Sequence, residues 1–248
     1  MLVTQLKYDL KMFFRELFYL VFTVIMPPAS YVFMGQLFDN KVYGDNLNYV
    51  QFYTPSFIIL ITFSVVFFAF GFDQVMNRSL GIEKRISVAP VNAQLLLMSN
   101  ILKSIIITSL GFTTILIIGM TVYDLSLEWQ TLLFSYLAFI GINAVLLTIS
   151  SAIYSFFNEM KSALVFSIVI FQVVMFTGDF TMPIASSPKF VQYIAKANPV
   201  YHINHIFIDI WNQMFELNSK TVYSIAYVIV VFLIALGVII GRAKKQRG

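Results

Sequence analysis

Both histidines of the chain fall in one short stretch, and they pose the first chemical question. His202, His205 and Asp209 follow one another at spacings of three and four. At about 100° per residue they fall within about 60° of a helix surface, close enough to hold a divalent cation. The same side also carries Asn212, Gln213 and Glu216, so a plain hydrated face is the simpler reading and no metal is assigned. The chain has no cysteine, which removes thiol nucleophiles, Cys-based zinc sites and disulfides. No Gly is followed by Lys, so there is no Gly-x-x-x-x-Gly-Lys-Ser/Thr phosphate loop. An intramembrane hydrolase needs a nucleophile paired with a base or a metal, and no such pair is suggested. The chain reads as a non-enzyme with no cofactor of its own. Any ATP and magnesium chemistry belongs on another polypeptide.

The elements that position these residues follow from composition. Of 248 residues, 59% are hydrophobic and 11% charged, and the mean hydropathy is +0.82. Soluble domains carry about 25% charged residues, so this is a polytopic membrane protein. A bilayer core takes about 20 apolar residues per helix. Six spans are expected, at 17–38, 50–73, 100–123, 129–156, 161–182 and 221–241. The stretch Val191 to Ile208 is broken by Lys196 and Pro199 and is read as not spanning. With the termini inside, 12 Lys and Arg lie on the cytoplasmic side and 4 outside, which sets the orientation. No cleavable signal sequence is apparent. The fold class is all-α, a single membrane domain over 1–248.

Three segments outside the spans are informative. Over residues 1–16, Leu2, Leu6, Leu10 and Phe13 recur at helical spacing opposite Lys7, Lys11 and Arg15, an amphipathic helix for the inner interface. The cytoplasmic segment 77–90 sets Arg78, Glu83, Lys84 and Arg85 among Leu80, Ile82, Ile86 and Val88. It predicts a short helix lying on the membrane with its charges toward the cytosol, stopped by Pro90. In the outer segment 187–215, Ser187-Pro188 and Asn198-Pro199 are cap-plus-first-turn signatures for two helices. The second carries Val200, Ile203, Phe207, Ile210 and Met214 on its apolar side. The pair is expected to dip into the outer interface and return.

Polar groups within the spans, among them Thr62, Asn143, Gln172 and Thr177, are read first as helix–helix hydrogen bonds, each worth about 0.6 kcal/mol. Gly237 and Gly241 form a Gly-x-x-x-Gly packing signal. Ionisable groups near the spans are few and lie at their ends: Asp73, Lys103 and Asp179. That speaks against an ion-coupled carrier.

The two loops together carry a family resemblance. Gly81-Ile82-Glu83-Lys84-Arg85-Ile86 followed by Ala89-Pro90 resembles the first cytoplasmic loop of ABC-2 type ATP-binding-cassette permeases, with Ile82 where Thr is usual. Gly178, Phe180, Pro183, Asn198 and Pro199 resemble the outer segment of the same family. The likeness covers essentially the whole chain. It implies pairing with a second permease, identical or homologous, and with two cytoplasmic ATPase subunits. It implies that Arg78, Gly81, Glu83, Lys84, Arg85 and Pro90 couple to those ATPases. By the same likeness spans two and five line the substrate path. Thr62, Phe63, Phe67, Phe171, Gln172 and Thr177 are its candidates. Gly178, Pro183, Asn198 and Pro199 would form the outer gate. The expected activity is outward transport of a hydrophobic or amphipathic compound by alternating access, in the cell membrane, with lipid as a further partner and no nucleic acid. Polysaccharide or lipid-linked glycan export is the alternative within the family. A secondary carrier or a structural membrane subunit is the alternative outside it.

Overall fold

The computed structural model describes residues 2–15, 21, 25–38, 42–43, 47–82, 85, 93–181 and 183–247. Helices α1 (Leu2–Arg15) and α2 (Met26–Phe38) come first. A minimal antiparallel pair follows, β1 (Val42–Tyr43) and β2 (Leu47–Asn48), with Val42 opposite Asn48. Next come α3 (Tyr49–Ser79), α4 (Ala93–Val122), α5 (Trp129–Tyr154) and α6 (Met160–Thr177). Two short helices, α7 (Lys189–Ala197) and α8 (Pro199–Trp211), precede the last one, α9 (Ser219–Arg247). Among the described residues, five helices are long and apolar enough to cross a bilayer: α3, Met98–Val122 of α4, α5, α6 and Ser219–Arg242 of α9. The expected first span, 17–38, lies partly outside the described residues. Its described part, Met26–Phe38, is helical, with Pro27 and Pro28 in the first turn, where no backbone N–H is needed.

Helix α3 is the central staff. Every residue from Tyr53 to Phe72 is buried. A helix apolar on all sides needs neighbours on all sides, and α2, α4, α5 and α8 supply them. Its start is fixed by a capping box: Asn48 Oδ1 accepts from Gln51 N–H, and Gln51 Oε1 accepts from Asn48 N–H. Across Val65–Phe70 the helix widens into a π turn. The Val66 carbonyl accepts from Gly71 N–H, five residues on, and from Ser150 Oγ of α5 at 3.1 Å. Gly71 is required just after this turn. A Cβ there would stand 2.3 Å from the Tyr154 ring, which packs against the bare backbone.

Polar side chains inside the bundle join helices. Ser104 Oγ donates to Asn143 Oδ1 (2.9 Å), and Asn143 Nδ2 donates to Thr108 Oγ1 (2.5 Å), tying α4 to α5. Helix α1 turns Leu10 and Phe13 toward the core beside α4 and leaves Lys7, Lys11 and Arg15 exposed, so its two faces are those expected. Gly237 and Gly241 are not used for packing here, since a Cβ on either would meet nothing within 4 Å.

Several boundaries differ from the expectation. The fifth span does not reach 182. Helix α6 ends at Thr177, because Asp179 adopts a left-handed backbone (φ 59°) and its Oδ1 accepts from Ile184 N–H at 3.1 Å. The fourth ends at Tyr154, short of 156. The second outer helix stops at Trp211, before Met214. Gln213 takes φ 59°, and Met214 N–H reaches back to the Asp209 carbonyl at 2.8 Å, a left-handed helix stop. The segment 77–90 does not begin as a separate helix. Residues 77–79 continue α3 beyond the span, and the break falls at Gly81, φ 68°, a conformation glycine adopts without steric cost.

Candidate functional site

The chemistry-bearing groups gather at the two ends of the bundle. At one end, Lys103 Nζ of α4 stands 2.7 Å from Asp73 Oδ2 of α3. The Lys103 side chain is 5% exposed and Asp73 19%, and Nζ also lies 5.0 Å from the Phe70 ring centre. One residue on, Gln74 Nε2 donates to the Ser151 carbonyl at 3.2 Å. One turn further, Arg78 Nη1 lies within hydrogen-bond distance of the carbonyls of Tyr154 (3.2 Å), Ser155 (3.1 Å) and Phe157 (2.8 Å). Arg242 of α9 donates to the same Ser155 carbonyl and stacks its guanidinium 3.9 Å from the Phe156 ring centre. The last carbonyls of a helix lack partners and carry partial negative charge. Two guanidinium groups therefore cap α5.

This placement corrects the orientation expected for Arg78. It turns back onto the chain, because the open carbonyls at the end of α5 are within hydrogen-bond reach. Arg85 is exposed, and its N–H returns to the Gly81 carbonyl at 3.2 Å. Glu83, Lys84 and Pro90 lie outside the described residues.

The candidates for a substrate path divide. Thr62, Phe63 and Phe67 are buried within the chain. Thr62 Oγ1 bonds the Ile58 carbonyl of its own helix at 2.8 Å. Phe63 lies on Phe67 (4.3 Å between ring centres) and stacks on Phe171 (6.1 Å, 14° between planes). These rings join α3 to α6, with Phe63 and Phe67 buried and Phe171 half-buried. Gln172 is exposed on α6, beside Val169, Val173 and Phe176. Thr177 is buried and belongs to the opposite end of the bundle.

The opposite end of the bundle is a connected polar network. Asn198 caps α8 by accepting from Val200 N–H (2.9 Å), and its Nδ2 donates to Thr177 Oγ1 (3.0 Å). Pro199 follows at the first helical position, as expected. Asn204 Nδ2 donates to the carbonyls of Gly178 and Asp179, both at 2.9 Å. Tyr49 OH of α3 donates to the Thr181 carbonyl at 3.0 Å. His205 Nε2 stands 2.9 Å from Asp179 Oδ2, close enough for an ion pair but outside hydrogen-bond geometry. His202 bonds Ser224 Oγ of α9 through Nδ1 (3.0 Å) and the Lys196 carbonyl through Nε2 (2.9 Å). Pro183 leads into a single 3-10 turn, Ile184–Ser186. The outer helices are thereby fastened to α3, α6 and α9.

The hydrated face expected on α8 and just beyond it is observed in part: Gln213 and Glu216 are exposed and His205, Asp209 and Asn212 are half-buried, but His202 is not on a wetted surface. His202 and Asn204 are buried and hydrogen-bonded. Burial holds the His202 imidazole below its ordinary pKa, with His205 adding to the effect and the Lys196 carbonyl opposing it. Burial raises the Asp209 carboxyl, against the pull of His205 and Lys220. Among the described residues, no three of His, Asp and Glu converge on one point. The sequence offered no signal for Asn204, which sits on the buried side among Val200, Ile203 and Phe207.

A cleft of about 450 Å³ opens beside this network, lined among others by Gln51, Glu128, Thr131, Asn212 and Gln213. Neither Phe63, Phe67, Phe171 nor Gln172 lines it.

Residues 2–212 match the family described as ABC-2 type transporter. A putative transport permease of Bacillus subtilis, YvfS, is 22% identical over 201 residues, covering 78% of each chain. A probable multidrug ABC transporter permease of Escherichia coli, YbhR, is 22% identical over 181 residues. That match covers 73% of this chain and 48% of YbhR, so the chain spans about half the length of that relative.

Proposed function

This chain belongs to the ABC-2 type transporter family, and from that premise we infer that it is the membrane permease subunit of an ATP-driven exporter. The family match over residues 2–212 carries the reading. Two features of the fold support it: a buried staff helix, Tyr49–Ser79, long enough to cross a bilayer, and a pair of short helices, α7 and α8, fastened to one end of the bundle. Two cytoplasmic ATPase subunits bind and hydrolyse ATP with magnesium, and this chain contributes no catalytic residue. The segment 77–90, with Gly81, Glu83, Lys84, Arg85 and Pro90, meets the ATPases. A second permease, identical or homologous, faces the exposed side of α6 that bears Gln172. The chain crosses the cell membrane six times with both termini cytoplasmic.

ATP binding draws the ATPases together and moves the 77–90 segment. The bundle then opens its path outward past Gly178, Pro183, Asn198 and Pro199. The cargo is a hydrophobic or amphipathic compound. The multidrug wording attached to YbhR supports this class.

Gentle purification of the tagged chain, followed by mass spectrometry of its companions, tests the reading. A stoichiometric ATPase subunit is expected. A chain recovered alone, with no partner crosslinked from residues 78–88, contradicts it.

A further inference from the structure

We propose that Arg78 is the joint through which the 77–90 segment moves the inner ends of α5, α6 and α9. The inference rests on the exporter reading. Four observations place Arg78 there. First, α3 remains a stiff helix for two turns beyond Gly71, as far as Ser79. The chain then turns at Gly81 (φ 68°), so a push on the loop meets Arg78 before it reaches the buried part of α3. Second, one face of that extension reads the end of α5 twice. Gln74 holds the Ser151 carbonyl, and Arg78, four residues on, holds those of Tyr154, Ser155 and Phe157. Third, the residues held are the turn itself, and α6 begins immediately after it at Met160. Fourth, Arg242 grips Ser155 from the other side, which brings α9 into the same knot.

A planar, always-charged guanidinium suits this task. It spans several carbonyls at once and stays charged next to a helix C-terminus. A lysine ammonium is a compact point charge and cannot hold the same set in one plane. Arg78 is thus a positioning residue. It touches neither nucleotide nor cargo.

A mere cap on α5 would matter to stability alone. A joint matters to the ratio of cargo moved to ATP hydrolysed, in a complex that still assembles. The test uses the full complex co-purified on the tagged chain and reconstituted in lipid vesicles, with the cationic dye ethidium as cargo. In Arg78→Lys and Arg78→Gln the ATPase is expected to remain bound. Dye transported per ATP hydrolysed is expected to fall on the order of tenfold.

The absence of native cysteine allows a second readout on the same complexes. Spin labels at Leu80→Cys and Asn158→Cys report the distance across the joint. With Arg78 present the distribution is expected to be narrow and to shift when ATP is trapped. With Arg78→Gln it is expected to be broad and unshifted. A wild-type transport-to-hydrolysis ratio in Arg78→Gln, or an unchanged narrow distance, overturns the proposal. Recovery of the wild-type chain without any ATPase overturns the exporter reading itself, a failure distinct from an Arg78→Gln complex that assembles and transports normally.

Discussion

Replacing Lys103 with Met isolates the inner ion pair. The ammonium sits 2.7 Å from Asp73 Oδ2 with only 5% of its side chain exposed. Met keeps most of the side-chain volume but withdraws the charge, so the Asp73 carboxylate is left without the cation beside it. Removing one member of a buried pair costs about 3–5 kcal/mol, because the other keeps its desolvation penalty. Asp73 retains 19% exposure, so water offsets part of that penalty and the loss is set at the low end, about 3 kcal/mol. For a chain of this size that is a fall in melting temperature on the order of 10 °C. The assay is thermal unfolding of detergent-purified protein followed by intrinsic fluorescence of its two tryptophans. The double variant Asp73→Leu with Lys103→Met removes both charges and is expected to recover most of the loss, since a well-packed apolar pair replaces a buried ionic one at little cost. A single variant that melts with the wild type would refute the claim that the pair is desolvated. A double variant no better than the single would refute the claim that the orphaned carboxylate causes the loss.

Two further outcomes follow from the packing and the outer network. Gly71→Ala forces a methyl into the Tyr154 ring and is expected to cost about 1–3 kcal/mol by overpacking, read in the same melting assay. His202 is held below its ordinary pKa of 6.5, so the folded chain binds fewer protons there than the unfolded chain. Its contribution is fully present above that range and shrinks as pH falls through it. The melting temperature should therefore drop between pH 7.5 and 5.5, and the drop should be smaller in His202→Gln, with equal slopes arguing against the assignment.

The legible and illegible parts of this fold differ in kind. The spans expected at 50–73, 100–123, 129–156, 161–182 and 221–241 each overlap one of the five long apolar helices, because a long apolar run has few other stable fates. The start of α8 could be read because Asn198 and Pro199 act locally, on the next turn of their own chain. The end of α6 could not. Asp179 looked like the fringe of a span, yet its carboxylate closes a turn on Ile184 and faces His205, a partner 26 residues away. His202 looked like part of a wetted face for the same reason, because its partners lie on α7 and α9. Arg78 was legible as a cation of the cytoplasmic segment. Its inward turn depends on where α5 stops, which no spacing around residue 78 encodes. Among the path candidates, Phe63 and Phe67 show that an aromatic stripe on two spans is equally a packing seam.

The central claim is that this chain moves cargo with energy from ATP hydrolysed by its partners. The most direct measurement is uptake of ethidium into inside-out membrane vesicles holding the complex. Uptake that requires ATP, stops with vanadate and persists when ionophores collapse the proton and sodium gradients is the expected result. Uptake driven by an ion gradient and indifferent to vanadate would contradict the claim and identify a secondary carrier instead.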